Sequence, residues 1–519
     1  MTMTWLARLH PETSWAHLAT TDFAACAALP GALAVLPVHG YADHGMGLSL
    51  DAEEALASRL LTEACAQSSA HCAPCVLPPL RFGPAPSPAC TWFGLPLDNA
   101  HAVVRELARG VRFAGFSKLL LFSSSPWHKE WLDAVAVDIR VETGLTVYRV
   151  HLGSLGFDFH PAAPAAQRLI AQAAVSLVLG HPPVESRPQL STDEEFRPGR
   201  WTNPPPLPAG PITPETAASA TGLMSAAAGR LARLLSEAAW HGHPPASRCA
   251  RTPHLAHTSL EPAPLWRPYG ARMLGALDAS ALSAAASRPG ALAILPTAAI
   301  EQHGPHLPVG VDAMIGQGLL ARALEQLPHD CPVFVAPPLL VGKSTEHADF
   351  PGTLSLSTAT FSAMVRAQVD QLRGLGFQRI AFWNTHGGNS AVLVPLIREL
   401  QSLPGLRIGM LQHGFKPEQS PQEAACGFHA GEWETALMLA LAPVLVNQAR
   451  ASCHYPARLE DAGELRPVGA ALTFGWSTRD IAPAGVIGDA TLATTAHGEA
   501  WVAATANALA GRIAALARP

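Results

Sequence analysis

Gly290-Ala-Leu-Ala-Ile-Leu-Pro296 is a short apolar run, and the chain contains it twice: Gly31-Ala-Leu-Ala-Val-Leu-Pro37 stands 290 − 31 = 259 residues earlier. Runs of this length and composition make buried strands. The same offset pairs Pro78-Pro79-Leu80 with Pro337-Pro338-Leu339. Further on, Gly115-Phe116 before Leu119 to Phe122 matches Gly376-Phe377 before Ile380 to Trp383. Trp201 and Pro208-Ala-Gly210 match Trp476 and Pro483-Ala-Gly485, and Gly229-Arg-Leu-Ala232 matches Gly511-Arg-Ile-Ala514. The offsets drift slowly and in order, as small loop insertions would make them. The sequence therefore reads as a tandem duplication, with one copy at 1–243, a Pro-rich linker at 244–263 and a second copy at 264–519.

Each copy alternates apolar strands with Ala/Leu-rich helical stretches. In the second, a strand at 291–296 precedes a helix near 312–326. A strand at 332–336, a loop to 352 and a helix near 358–374 follow, then the strand Arg379 to Asn384. Alternation of this kind predicts an α/β fold in which a largely parallel central sheet is flanked by helices. Ligands then sit off the carboxyl ends of the strands.

The polar clusters fall at those ends. Glu301-Gln-His303 follows the first strand, and on extended backbone the two outer side chains share a face. With Asp312 they form an O/N donor set suited to zinc or manganese, although a polar loop with ordinary hydrogen bonds would read the same way. His386-Gly-Gly-Asn389 follows the third strand. Gly427-Phe-His429-Ala-Gly-Glu-Trp-Glu434 runs into a helix over Thr435 to Ala442, where Glu432 and Glu434 serve equally well as caps. The loop Lys343 to Gly352 adds Glu346 and His347. Together, these groups outweigh a purely structural reading.

Composition narrows the function classes. The 519 residues are too many for one core. A net charge of −5 with 14% charged residues gives no basic surplus for nucleic acid. No apolar run reaches membrane-spanning length, and the N-terminus lacks a signal-peptide pattern. Nine cysteines without framework spacing fit a cytoplasmic protein. Cys72-x-x-Cys75 enters an apolar segment instead of opening a helix, and reads as structural.

On five ordered motifs the second copy resembles the creatininase (creatinine amidohydrolase) family. They are Glu301-Gln-His303-Gly-Pro-His306 with Asp312, Glu346-His347-x-x-Phe350-Pro-Gly-Thr-Leu-Ser355, Asn384-Thr-His386-Gly-Gly-Asn389, His429-Ala-Gly-Glu-x-Glu434-Thr, and Gly485-Val-Ile-Gly-Asp489. The resemblance implies two divalent metal ions per chain (zinc or manganese, with iron a third option) and hydrolysis of a non-peptide, cyclic amide C–N bond in a small molecule. It implies Glu301, Asp312 and His386 as ligands of one metal, and His303 with the shared Asp312 as ligands of the other. His429 takes the family's catalytic place, protonating the leaving nitrogen. Glu346, His347, Asn384 and Asn389 are assigned to the substrate or to orienting the ligands. The resemblance also implies a homo-oligomer.

Two departures stand out. Creatininase proper carries a Glu where this chain has Gly388, so Glu434 is the candidate for the missing acid, acting as ligand and in catalysis, with Glu432 behind it. The tryptophans that enclose its substrate are replaced by Gln412-His413-Gly414-Phe415 and Ala424-Ala425-Cys426. The metal chemistry is expected to persist while the pocket has changed. A formamide deformylase or a peptide-terminus hydrolase is therefore the alternative, and a non-catalytic metal-binding protein a more distant one. In the first copy Glu301 becomes Ala42, His303 is kept as His44, Asp312 becomes Glu53, and His386-Gly-Gly-Asn389 becomes Ser125-Pro-Trp-His128. That copy is expected to lack the metals and to act as a built-in partner.

Overall fold

Two four-stranded sheets organise the chain in the computed structural model, which describes residues 13–68, 72–84, 91–160, 163–180, 211–242, 268–455 and 475–518. The expected linker at 244–263 and the Trp201 to Gly210 repeat lie outside the described residues. The first sheet holds β1 (Ala32–Val38), β2 (Ala73–Val76), β3 (Lys118–Ser123) and β4 (Thr146–His151), in the order β2-β1-β3-β4. The second holds β5 (Leu292–Thr297), β6 (Val333–Val335), β7 (Arg379–Asn384) and β8 (Arg407–Met410), in the order β6-β5-β7-β8. Every pairing in both sheets is parallel. Register recurs as well: Leu33 faces Pro74 and Leu292 faces Val333, offsets of 292 − 33 = 259 and 333 − 74 = 259.

The central strands β1, β3, β5 and β7 are largely buried because helices cover both faces; β5 is buried at every position. Helices α1 (Ala52–Ser68), α2 (Leu97–Phe113), α3 (Lys129–Thr143), α4 (Ala165–Leu179) and α5 (Pro214–Trp240) surround the first sheet. Helices α6 (Val311–Glu325), α7 (Thr358–Gly374), α8 (Gly387–Leu400), α9 (Glu432–Leu441) and α10 (Thr495–Leu516) surround the second. The start of α7 is fixed by Ser357, whose Oγ accepts from Thr360 N at 3.2 Å. Its end is followed by Gly376 at φ +106°, a conformation open to glycine. Helix α9 begins three residues before the expected Thr435, so Glu432 and Glu434 both lie in its first turn.

Leu33, Leu56, Val175 and Leu231 belong to a core confined to the first half, between its sheet and α1, α4 and α5. A larger core continues from the other face of that sheet into the second half, through Trp15, Phe23, Phe93, Leu354 and Phe361. Helix α2 packs on α7. There Glu106 accepts from Ser357 N and Thr360 Oγ1, both at 2.8 Å, and Asn99 Nδ2 donates to Thr360 O at 3.1 Å. No described helix is long and apolar enough to cross a membrane.

Candidate metal centre

At the carboxyl end of β5 the chain makes a tight loop that returns on itself, with Glu301 N donating to Val309 O at 2.9 Å. The loop carries Glu301 and His303 and delivers Asp312 in the first turn of α6. The end of β7 brings His386 to the N-cap of α8. His429 precedes α9, and Glu434 projects from that helix's first turn. Glu301, His303, Asp312 and His386 are buried. The Glu434 side chain keeps 19% of its surface, so the centre opens on its side.

Ligand atoms of Glu301, Asp312 and His386 lie within 4.8 Å of one another, as do those of His303, Asp312 and Glu434. A third such group joins Glu301, His303 and His429. His386 Nδ1 is 3.1 Å from Glu301 Oε1 and 3.4 Å from Asp312 Oδ2. His303 Nε2 is 3.4 Å from Asp312 Oδ1 and 3.7 Å from Glu434 Oε2. The far nitrogens fix the tautomers: His303 Nδ1 donates to Glu301 O (3.0 Å) and His386 Nε2 to Lys343 O (3.0 Å). Each ring therefore turns a lone pair inward, as metal-binding histidines do. His303 Nε2 and Asp312 Oδ2 are buried without a hydrogen-bond partner. Such atoms are costly unless something else satisfies them. The residues present thus fit divalent ions.

Charge points the same way. Burial opposes ionisation of His303, yet Glu434 and Asp312 outweigh it and hold its pKa well above the ordinary value. His386 is likewise raised, burial being overcome by Glu301, Asp312 and Glu346. Burial pushes Glu301 up to about 7. Asp312 and Glu434 are held low, because the histidines beside them outweigh burial. Asp312 and Glu434 thus stay ionised and demand positive charge, which protons on two histidines supply when no metal does. Metal uptake should release those protons.

The residues assigned to the substrate or to orienting the ligands mostly sit behind the ligands. His347 Nε2 is 3.6 Å from Glu301 Oε1, and its ring stacks on His429 at 4.2 Å. Glu346 Oε1 lies 3.5 Å from His386 Nε2. Asn384 Nδ2 donates to His386 O (2.7 Å), while Asn389 Nδ2 donates to Ala298 O (3.0 Å) and its Oδ1 accepts from Lys343 N (2.9 Å). These amides tie strand ends together. Glu432 points away, towards His497 Nδ1 (3.2 Å) and Gln419 Nε2 (3.3 Å), so Glu434 is the acid that reaches the centre.

Two residues escaped the sequence reading. Gln302 is fully buried, with its Nε2 2.9 Å from both His347 Nδ1 and His429 Nε2. Ser344 Oγ donates to Glu301 Oε2 at 2.5 Å. Gln302's place between two ligands was the one available signal.

A cavity of about 230 Å³ opens from His429 and Glu434, lined also by His413, Gln419, Phe428 and Trp433. Trp433 stacks on His413 at 5.9 Å and 19°. An aromatic wall is therefore present, built from a motif position different from those of the missing tryptophans.

In the first half, Ala42 occupies the place of Glu301 and is buried; His44 Nε2 and Glu53 Oε1 approach to 3.2 Å. Among the described residues, every group of three potential ligands lies in the second half.

The family model for creatininase (creatinine amidohydrolase) matches residues 277–513. The mycofactocin precursor peptide peptidase of Mycolicibacterium smegmatis is 33% identical over 224 residues, 43% of this chain and 84% of that protein. The creatinine amidohydrolase of Pseudomonas putida is 31% identical over 184 residues, 32% of this chain and 69% of that protein. A crystal structure of creatinine amidohydrolase is 25% identical with a TM-score of 0.40, covering 48% of this chain and 98% of that one.

Proposed function

The chain belongs to the creatininase family, and on that premise we propose that its second half is a metal-dependent amidohydrolase cleaving a non-peptide C–N bond in a small cyclic amide. The observation that carries this reading is the pair of buried donor sets sharing Asp312, with ligand atoms left unpartnered beside an open cavity. Glu301, Asp312 and His386 would hold one divalent ion, and His303, Asp312 and Glu434 the other; zinc and manganese suit these donors, with iron a third option. Ions held there would activate water near neutral pH and polarise the amide carbonyl.

The chain's own groups do the rest. His429 donates through Nε2 to Gln302 O at 2.8 Å, which leaves Nδ1 facing the carboxylates, 3.8 Å from Glu301 Oε1. Burial and the charge of His303 push its pKa down to about 4, so it is neutral at pH 7. It can accept a proton at Nδ1 from the attacking water and pass it to the leaving nitrogen. The Gln302 carbonyl that accepts from Nε2 and the stacked His347 ring hold it in place.

A second reading, cleavage near a peptide terminus, draws support from the peptidase relative and from the altered pocket wall. Incubating the chain with lactams, ureides, formamides and short peptides, with and without chelator, tests both. Chelator-sensitive ring opening of the cyclic amides, read as the appearance of a free amine and a carboxylate on the same molecule, supports the first reading, and cleavage of peptides alone supports the second. No turnover of any class by the metal-loaded chain would refute the enzymatic assignment.

A further inference from the structure

The loop that carries Glu301, His303 and Asp312 in the second half is held by the first half. Val309 N donates to Leu18 O (2.8 Å) and Gly310 N to Ala16 O (3.0 Å), just ahead of Asp312. Trp15 Nε1 donates to Gly352 O and Thr20 Oγ1 to Pro351 O, both at 2.8 Å. The turn they grip holds Glu301 in turn. Thr353 Oγ1 accepts from Gln302 N (3.1 Å), and Leu354 N donates to Ile300 O (2.8 Å). Backbone on both sides of Glu301 is thereby tied to residues 351–354. There is no slack in the contact. A Cβ on Gly310 would lie 2.7 Å from Ala16 O, and one on Gly352, at φ +92°, would enter the Phe23 ring. The arm is rooted in its own half, since Trp15 packs on Phe116 at 5.5 Å and is braced from within the arm by Phe23 at 4.6 Å.

The contact has a counterpart. Leu50 N donates to Leu277 O and Asp51 N to Gly275 O, both at 3.0 Å. These residues are the first set moved by one offset: 277 − 18, 275 − 16, 309 − 50 and 310 − 51 are each 259. Reciprocal contacts of equivalent residues define an isologous interface, with a pseudo-two-fold axis between the halves. Each half extends an arm onto the other's loop. In the first half the receiving loop leads to Glu53 and His44 alone. In the second it carries Glu301, His303 and Asp312, which take part in all three donor groups.

We propose that the arm at residues 15–23 is a positioning element of the metal centre, so that the second half's site is complete only with the first half docked on it. This rests on the metal reading above. Groups that orient ligands from behind typically change metal affinity 10- to 100-fold when removed.

The test uses the full chain, titrated with Zn²⁺ and Mn²⁺ against a chromophoric chelator, alongside thermal unfolding of the metal-free form. Trp15→Phe with Thr20→Val removes both side-chain hydrogen bonds and keeps an apolar arm. Leu274→Ala, in the reciprocal arm, is the control showing how affinity follows lost stability alone. The expected result is metal binding about tenfold weaker in the double variant, beyond anything its change in Tm explains on that control. Unchanged affinity, or a loss no larger than the control's at equal Tm, overturns the proposal. A wild-type chain that takes up neither ion would refute the metal reading itself, whereas normal uptake indifferent to both substitutions refutes only the arm's role.

Discussion

His44 Nε2 stands 3.2 Å from Glu53 Oε1, the same approach that His303 Nε2 makes to Asp312 Oδ1 at 3.4 Å. Around the second pair stand Glu301, His386 and Glu434; at the place of Glu301 the first half has Ala42. Glu53 Oε2 already accepts from Ser124 Oγ at 3.0 Å. One carboxylate and one imidazole leave too few charges to offset dehydrating a divalent ion. The chain should therefore bind about two metal ions, not four. His44→Ala and Glu53→Gln should leave that number unchanged. Asp312→Ala should abolish both sites, and Glu434→Ala should weaken mainly one. Elemental analysis finding close to four ions per chain, with two lost in Glu53→Gln, would contradict this.

His429 belongs to one of the three donor groups, yet its Nδ1 lies 3.8 Å from Glu301 Oε1, the longest of these approaches. A proton-transfer role predicts that His429→Ala keeps its metals and loses roughly 10²–10⁴-fold in turnover. Steady-state kinetics on protein of measured metal content separates the options. Loss of a metal ion along with activity would make His429 a ligand, and near-full activity would remove it from the mechanism.

How much of this was legible depends on how local the signal is. The strand at β5 and the helix at α7 follow from apolar runs and the Ser357 cap, all within a few residues of one another. The grouping of Glu301, His303 and Asp312 was legible because two-residue spacing and one loop bring them together. Gln302 was not, since its partners His347 and His429 are 45 and 127 residues away. Asn384 and Asn389 stand out in the sequence because they flank His386 at a strand end, a position that suits substrate contact and ligand orientation alike. The Asn389 amide is claimed by Ala298 and Lys343, which no local pattern reveals, and the Asn384 amide by His386 O. Trp433 was on the page inside the His429 motif, but only the cavity shows that it forms a wall. The repeat offset was plain in sequence, whereas the reciprocal arms it generates are a property of docking.

Ala430 has φ +53°, a left-handed conformation that costs a non-glycine residue about 1–2 kcal/mol. It joins His429 to the helix of Glu434, and its N–H donates to Glu434 Oε2 at 2.6 Å. Strain held at such a junction points to a geometry that the site requires. Ala430→Gly relieves the strain but loosens the unfolded and folded backbone alike, so stability should stay within about 1 kcal/mol of wild type. Turnover should fall about tenfold as His429 and Glu434 lose their mutual placement. Urea unfolding together with kcat would check this, and intact kcat would show that the strained turn has no catalytic use.

The first half carries its own pH sensitivity, away from the metal centre. Ser124 donates to Glu53, so its oxygen accepts from His39 Nδ1 at 2.9 Å, and His39 Nε2 is buried without a hydrogen-bond partner. Burial, then the charge of Arg81, push the His39 pKa down to about 3, against a smaller opposing pull from Glu53. Burial likewise pushes His128 down to about 4, with Glu53 opposing and His151 and His39 adding to the shift. An unfolded histidine titrates near 6.5. Between that value and about 4 the unfolded chain therefore binds protons that the folded chain refuses. The stability is fully present above pH 6.5 and is lost as the pH falls, by at most about 1.4 kcal/mol per pH unit for each histidine. His39→Gln keeps an amide donor for Ser124 and cannot be charged, so its stability should fall less steeply below pH 6.5. Measuring the difference in unfolding free energy between wild type and His39→Gln, with chelator present, cancels the titration of the metal ligands. That difference should stay level from pH 7.5 to about 6.5 and then shift in favour of the variant down to pH 4.5, and a constant difference across the range would show that His39 does not have to stay neutral for the chain to fold.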